Sequence, residues 1–394
     1  MVFLQKTENG DAVMYKHANI RGLLIIIILL GIFILLITDT EGVLSSGQKA
    51  VDLCLKVIIP SLLPFFIISR LILNTGVIHI ISRLFGPVVR PLFKLPGTAA
   101  FPIFAGWFSG YPAGAKYTSD LYKKSLITRT QAERLLSFCN NSGPLFIVGA
   151  VGTGYFNSPK LGFILLLCHI MGSIVVGILQ RFIFKDDSEE GVKAIKETPA
   201  RPEFSSHILT DAIVDSTAVL LQICGTIIFF AVLVQTLETA GIFSGISRIT
   251  GFLFKKVNIS DYIKILTAGS FEITYGLYLL SRSAAIPVNL KILLTSFICG
   301  FGGFSVFTQV TFFCPPEIRL RKYLLGKLIH GFAASFFTAL FLINRTIPVM
   351  TYSDEIYNTD VSKVIIPVYV LLLMFLIMYF TFAYFFRKKS RRYL

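Results

Sequence analysis

Residues 98–184 and 263–343 repeat one order of apolar segments. Each begins with a short Gly-rich apolar stretch, continues with an apolar segment interrupted by polar or Gly residues, and ends with an uninterrupted apolar run. Ala105 aligns with Ala268 and His169 with His330, although weak similarity between apolar stretches also arises from composition alone. An unpaired backbone group costs several kcal/mol in lipid, so such interruptions persist only where protein or water covers them. The pattern predicts a duplication with paired, enclosed breaks.

Composition places the chain in a membrane. Of 394 residues 54% are hydrophobic, only 15% are charged, and the mean hydropathy is +0.72, so there is more apolar surface than one soluble core buries. The net charge of +15 does not indicate nucleic-acid binding, because the Lys and Arg residues lie between apolar runs instead of clustering on one face. The six cysteines form no CxxC pair, which argues against a metal site or a disulfide framework.

The sequence predicts an all-α polytopic membrane protein with about eight transmembrane helices. An apolar run of about 17 to 25 residues is long enough to cross a bilayer. The predicted spans are residues 22–38, 51–74, 134–155, 161–184, 212–237, 291–313, 324–343 and 364–386. Two shorter apolar stretches carry Gly, Pro or Glu at their middles and predict re-entrant hairpins near 98–124 and 263–287.

The distribution of basic residues predicts the orientation. Cytoplasmic loops carry the excess of Lys and Arg, and the excess here is largest when both termini are cytoplasmic. Each repeat then contributes three spans and one hairpin, and the odd number of crossings inserts the second copy upside down. This is an inverted repeat, the arrangement that many secondary transporters use for alternating access.

The predicted organisation has five parts. Residues 1–50 carry an N-terminal span, 51–184 the first repeat, 185–210 a polar cytoplasmic linker, 211–343 the second repeat, and 344–394 a last span with a basic tail. Residues 77–95 space Arg and Lys among apolar residues, a pattern typical of an amphipathic helix at the membrane interface.

The tip of the first hairpin predicts an anion site. Glycine permits close backbone approach, and a helix that restarts after a break directs free N–H groups and a positive dipole end at a ligand. Lys116 adds a charge, or alternatively only ends the hairpin at the headgroups. The candidate binding residues at this tip are Ser109, Gly110, Tyr111, Gly114 and Lys116.

The interrupted spans supply the second set of candidates. Two amides and a hydroxyl inside an apolar run are costly unless they meet a partner, water or a substrate. A ligand-facing role is therefore predicted, and hydrogen bonding between helices is the alternative. The candidates are Asn140, Asn141, Ser142 and Gly143 in the first repeat and Gly302, Ser305 and Gln309 in the second, where the small residues equally suit tight packing.

Glu272 lies near the tip of the second hairpin, with Thr274 and Tyr275 beside it as further candidate binding residues. An ionisable group at membrane depth is a functional hypothesis by default. Glu272 carries a coupling proton or binds a cation on this reading, whereas the alternative is an ion pair with Arg70, Arg134 or Lys327. His169 and His330 are interpreted as packing or hydrogen-bonding residues.

The sequence contains no GxSxG or HExxH signature, so no enzyme, cofactor or metal is predicted.

Several segments resemble the YlbJ (SpoVV) type of sporulation integral membrane protein, within the Gate or nucleoside-recognition group. The resemblance is specific in residues 57–170 and is carried by SLLPFFIISRLIL, GPVVRPLFKLPG, GWFSGYPAGAK and ERLLSFCNNSGPLFIVGAVG. It implies a role in spore formation in a Gram-positive bacterium, with passage of dipicolinic acid across the outer forespore membrane. It also implies similarity to concentrative nucleoside transporters, whose repeats contain re-entrant hairpins and unwound helices.

The functional hypothesis is transport of a small anionic metabolite, with dipicolinate as the substrate that the resemblance implies. The alternatives are transport of a nucleoside or another small metabolite, and a non-transporting assembly protein of the spore envelope. The expected partners are the anion and the lipid bilayer, without nucleic acid, and a homo-oligomer is left open. The expected location is the outer forespore membrane, with both termini on the mother-cell side.

Overall fold

The computed structural model describes residues 11–74, 77–183, 207–253 and 260–343, and the secondary structure in these ranges is helical throughout, without strands. The α-helices are α1 (Asp11–Thr38), α2 (Thr40–Leu53), α3 (Ile59–Asn74), α4 (Val77–Phe93), α5 (Ala100–Phe108), α6 (Ala113–Lys123), α7 (Arg129–Cys139), α8 (Pro159–Ile183), α9 (Ile208–Thr239), α10 (Ile242–Leu253), α11 (Ser260–Phe271), α12 (Ile273–Arg282), α13 (Val288–Phe301), α14 (Gly303–Phe313) and α15 (Arg321–Leu342). A π-helical segment, Leu145–Tyr155, follows α7, and a π-helical turn, Cys54–Ile58, joins α2 to α3.

The prediction of an all-helical membrane protein is confirmed. Four helical stretches among the described residues are long and apolar enough to cross a membrane, namely Pro159–Phe182, Ile208–Thr239, Val288–Phe313 and Arg321–Leu342. They correspond to four of the eight predicted spans. A fifth candidate is a pair, Gly22–Thr38 and Thr40–Lys56, that bends by 92°.

The remaining predicted spans differ from single continuous helices. The stretch 51–74 is divided by the π-helical turn, and its apolar part, Leu62–Ile72, is short for a crossing. The stretch 134–155 is divided by residues 140–144, because the polar side chains and Pro144 there do not continue the helix of α7. The predicted span 364–386 and most of the predicted linker 185–210 lie outside the described residues.

From α5 to α15 the same series of helices occurs twice: a pair of short helices, a broken helix and a continuous helix. In the first unit α5 and α6 pack on each other, α7 and the π-helical segment form a broken helix, and α8 is continuous. In the second unit α11 and α12 pack on each other, α13 and α14 form a broken helix, and α15 is continuous. Helices α8 and α15 pack closely against each other where the two units meet, and α15 also contacts α7 and α13.

Helix α4 is amphipathic, as the sequence predicts. Ile80, Leu84 and Val88 recur every four residues and are 59–67% exposed, while Val89 and Phe93 face the core. An exposed apolar stripe of this kind suits a helix that lies along a membrane surface. The helix leads directly into α5 through the buried turn Gly97–Ala99, and it thus positions the first helix pair.

Candidate functional site

The break between α5 and α6 packs directly against the break that follows α7. Gly110 adopts a positive φ of 86°, and a Cβ added there would lie 2.6 Å from the backbone nitrogen of Gly143. Gly106 and Gly114, on either side of the first break, both lie against the carbonyl oxygen of Cys139, where no side chain fits. Glycine is therefore required here for close backbone approach, and the two interruptions of the first unit form one contact.

The second unit meets this contact at the end of α13. The carbonyl of Cys299 is among the last four of that helix, which have no N–H partner within their own helix. The Tyr111 hydroxyl donates to this carbonyl at 2.9 Å and the Ser142 hydroxyl donates to it at 3.3 Å. Gly302, which follows with φ 86°, leaves room for the Tyr111 hydroxyl. Both breaks of the first unit thus bind the break of the second.

Lys327 of α15 enters the same region. Its side chain is 1% exposed, and Nζ donates to the carbonyl oxygen of Asn140 at 2.9 Å and contacts His330 Nδ1 at 3.1 Å. The ammonium also lies 5.2 Å from the centre of the Tyr111 ring. Within the described residues no carboxylate lies within 4.0 Å of this ammonium.

Two histidines extend the cluster across the contact of α8 with α15. An ammonium only donates, so His330 Nδ1 accepts from Lys327, and the Nε2–H of His330 donates to the carbonyl of His169 at 2.8 Å. The backbone N–H of Ser142 donates to His169 Nε2 at 3.1 Å, and the two rings lie 4.3 Å apart. Each imidazole accepts at one nitrogen and is therefore neutral. Neither histidine nor the hydroxyls supply a negative charge for Lys327.

The charge of Lys327 is compensated only in part. Asn140 is the C-terminal cap of α7, and the negative end of a helix stabilises a partly buried cation by at most about 2 kcal/mol. Removing an ion from water costs several kcal/mol after relaxation. Nearby, the Oδ1 atoms of Asn140 and Asn141 and the hydroxyl of Ser109 are buried and have no hydrogen-bond partner. The cluster therefore has one cation and unused polar groups.

The structure thus brings together most of the predicted residues of the first unit. Tyr111, Asn140, Ser142 and Gly143 of this unit meet Gly302 of the second unit in this cluster, with Ser109, Gly110 and Asn141 adjoining it. Asn140 also donates through Nδ2 to the Tyr323 hydroxyl at 3.4 Å, and Asn141 donates to the carbonyl of Phe138 at 2.9 Å.

Lys116 and Gly114 lie within α6 and not in the break, which covers only residues 109–112. The predicted tip therefore extends too far, because α6 begins directly after Pro112. The ammonium of Lys116 pairs with Asp120 one turn later at 3.0 Å, and Asp120 also lies 3.8 Å from Arg70. The charge of Lys116 is therefore compensated within the protein, and its predicted role in binding an anion stays a prediction.

The second helix pair breaks at a single residue. Glu272 has an extended backbone and caps α12, since its carboxylate accepts from the N–H of Tyr275 at 2.7 Å. The predicted alternative partners have other contacts: Arg70 pairs with Asp215, Arg134 donates to the carbonyl of Phe93, and Lys327 donates to Asn140. The carbonyl of Thr274 accepts from the Tyr155 hydroxyl of the π-helical segment at 3.4 Å.

On α14, Ser305 and Gln309 are buried at 3% and 7% exposure. This helix contacts α6 and α11, and its first residue, Gly303, lies against the last carbonyls of α11. The break of the second broken helix therefore touches the break of the second helix pair, as happens in the first unit. A binding role for Ser305 and Gln309 stays a prediction.

Sequence reasoning missed Lys327, which it considered only as a partner for Glu272. The signal was present: an ionisable residue in the middle of an apolar run is a functional hypothesis by default, and Lys327 and His330 are one turn apart in the run 324–343. The matched positions of His169 and His330 also indicated a shared contact. The described residues contain no group of three or more His, Cys, Asp or Glu side chains that could hold a metal ion.

Comparison with known proteins gives one family match and one relative. Residues 55–156, from the π-helical turn after α2 to the end of the first broken helix, match the Gate family, described as nucleoside recognition. A relative from Bacillus subtilis (strain 168), the sporulation integral membrane protein YlbJ, is 33% identical over 341 residues, which cover 82% of this chain and 83% of the relative. No solved structure matches the chain.

Proposed function

Because this chain belongs to the YlbJ family of sporulation integral membrane proteins, we propose that it is a membrane transporter that carries a small anionic metabolite during spore formation. One observation carries the proposal. The breaks of the first unit and the break after α13 converge on the buried carbonyl of Cys299, among polar side chains and one cation. Irregular polar backbone within apolar helices is the usual construction of a substrate site in secondary transporters.

The architecture supports alternating access. In the proposed topology each repeat consists of one unit and the span before it, 51–74 or 212–237. Each repeat then has three spans and one re-entrant hairpin, so the repeats are inverted relative to each other and both termini are cytoplasmic. The site lies between the units, so tilting one unit against the other exposes it first to one side and then to the other. The hydrogen bonds from Tyr111 and Ser142 to Cys299 close the site in the described conformation.

Dipicolinic acid is the leading candidate substrate, carried from the mother cell across the outer forespore membrane. The relative is named a sporulation protein, and dipicolinate is the solute that the family resemblance implies. A small aromatic dianion also suits the chemistry of the cluster, which offers an ammonium, aromatic rings and amide groups. The proposed binding residues are those of the first unit that meet there.

The direct test is flux of labelled dipicolinate into proteoliposomes, with and without a proton gradient. We expect uptake by the unaltered chain and strong loss of uptake in two variants. Ser109→Trp fills space at the first break with a large side chain, and Asn141→Leu removes an amide at the second. Thr226→Leu, at a partly exposed position of α9, is the control and should transport normally. No flux of any tested solute under either condition would refute the transporter.

A nucleoside is the second candidate substrate, favoured by the description of the matching Gate family. Uptake that uridine inhibits and dipicolinate does not would establish a nucleoside as the substrate.

The third candidate function, an assembly protein of the spore envelope, makes a different prediction in cells. In a YlbJ-deficient B. subtilis strain that produces this chain, Ser109→Trp and Asn141→Leu would then leave the dipicolinate content of spores normal at unchanged protein level.

A further inference from the structure

Lys327 has an unusual environment for a buried lysine. Its ammonium has three N–H groups, of which two are used, by the Asn140 carbonyl and by His330 Nδ1. Among the groups around it, from α7, α8, α13, the first break and its own helix α15, are Tyr111, His169, Tyr323, Cys139 and Cys299, none of which is a carboxylic acid. A buried charge without a counter-charge is normally avoided unless a ligand supplies one.

Two other buried lysines show how this protein satisfies such groups elsewhere. Lys116 pairs with a carboxylate, Asp120, at 3.0 Å. Lys291, 5% exposed, donates at 3.2 Å to the carbonyl of Ser281 in the last turn of α12, a capping contact at the helix end. Of these three buried lysines of the described residues, Lys327 alone lies within the cluster that joins both units, so its charge is the one placed at the proposed transport site.

We propose that Lys327 binds a carboxylate group of the transported solute, so that the protein selects small carboxylate anions over neutral analogues of the same shape. The inference rests on the proposed function and names the residue that recognises the solute's charge. The third N–H of the ammonium donates to the carboxylate, and a charge-assisted bond of this kind is about twice as strong as a neutral one. The unpartnered Ser109 hydroxyl is an additional donor at the same breaks.

The first break controls access to Lys327. The Tyr111 ring lies over the ammonium, and its hydroxyl holds the first helix pair to α13 through Cys299. When this bond opens and α5 and α6 move away from α13, the ammonium is uncovered and a carboxylate can enter. A neutral nucleoside does not need this cation, which is why the inference distinguishes the candidate substrates.

The test compares dipicolinate with its neutral diamide, pyridine-2,6-dicarboxamide, in proteoliposomes and in binding to the purified full chain. Excess dipicolinate should block uptake of labelled dipicolinate, and the diamide should not. Lys327→Met should lower both binding and uptake of dipicolinate at least about tenfold, because the ion pair is lost. Lys291→Met removes a lysine of similar burial and should leave both within about twofold.

The melting temperature and the elution profile of each variant show whether it is folded. Lys327→Gln, which keeps a polar end, replaces Lys327→Met if the latter does not fold. Normal dipicolinate binding and uptake in a folded neutral variant would overturn the inference. Uptake of uridine but of no carboxylate by the unaltered chain would also overturn it while leaving transport intact. Binding of dipicolinate that depends on Lys327, without any flux, would instead refute transport and retain the site.

Discussion

The carbonyl of Cys299 shows how one backbone atom at a helix end joins the two units. It is among the final carbonyls of α13 and receives its hydrogen bonds from Tyr111 and Ser142 of the other unit. The sequence identified both donors as polar residues at breaks, because such groups need partners in an apolar environment. It could not identify the acceptor, since every residue has a carbonyl and only the fold brings this one within reach.

A double-mutant cycle tests this contact. Tyr111→Phe and Ser142→Ala each remove one donor and should each lower the free energy of unfolding by about 1 kcal/mol. The double variant should lose more than the sum, because the buried Cys299 carbonyl is then left without a partner. The measurement is denaturant unfolding or the melting temperature of the purified chain in detergent. Strict additivity would contradict a shared acceptor.

Helices α5, α6 and α7 pack without intervening side chains where they meet. Gly106 on α5 and Gly114 on α6 both lie against the carbonyl oxygen of Cys139, at the end of α7. Small residues allow helix backbones to approach this closely, which is a general basis of helix association in membranes. The sequence indicated a Gly-rich hairpin, but its glycines also lie inside the helices and not only in the turn.

Gly114→Ala tests this packing. The new Cβ would overlap the Cys139 carbonyl, so the variant should be destabilised by at least about 1–3 kcal/mol. Gly225→Ala is the matched control, because Gly225 lies in α9 with nothing within 4 Å of an added Cβ. It should be neutral or slightly more stable, since alanine favours a helix by about 0.5–1 kcal/mol. Equal melting temperatures for both variants would show that the close approach is not needed.

Across the whole molecule, α8 and α15 form a central contact between the two units. His169 and His330, which align in the repeat, touch across this contact. A Cβ added to Gly172 of α8 would lie 2.9 Å from the backbone nitrogen of Ala334 of α15, so the two helices are tightly packed. The equivalent helices of the two units thus meet in the middle, an arrangement suited to two bodies that tilt against each other.

The proposed inverted repeat predicts that corresponding loops of the two units lie on opposite sides of the membrane. Ser125 and Ala284, both exposed, lie in the loops after α6 and after α12, which correspond in the two units. Cysteines introduced at these positions should therefore react with a membrane-impermeant maleimide from opposite sides. The unaltered chain is the control, because five of its cysteines are buried and Cys314 is partly buried. Labelling of both positions from one side would refute the inverted repeat.

The prediction of the breaks was accurate where local chemistry determines structure. Residues 140–144 and Glu272 interrupt helices in the structure, since the Asn, Gly and Pro residues of the first and the capping carboxylate of the second end a helix locally. The sequence could not decide whether Lys116 or Lys327 is the better candidate for binding an anion. Each is a lysine near polar residues, and only the positions of Asp120 and Asn140 showed which charge is paired.

By itself the sequence determined that this protein lies in a membrane and where its helices are interrupted. Its apolar runs require a bilayer, and Gly, Pro and polar residues within them require enclosed breaks. The tertiary structure decided which breaks meet, which carbonyl joins them, and which buried lysine lies among them without a carboxylate partner. Periodicity and composition act over a few turns of one helix. The contacts of Tyr111 with Cys299 and of Lys327 with Asn140 span more than 180 residues, and only the packing of all the helices fixes them.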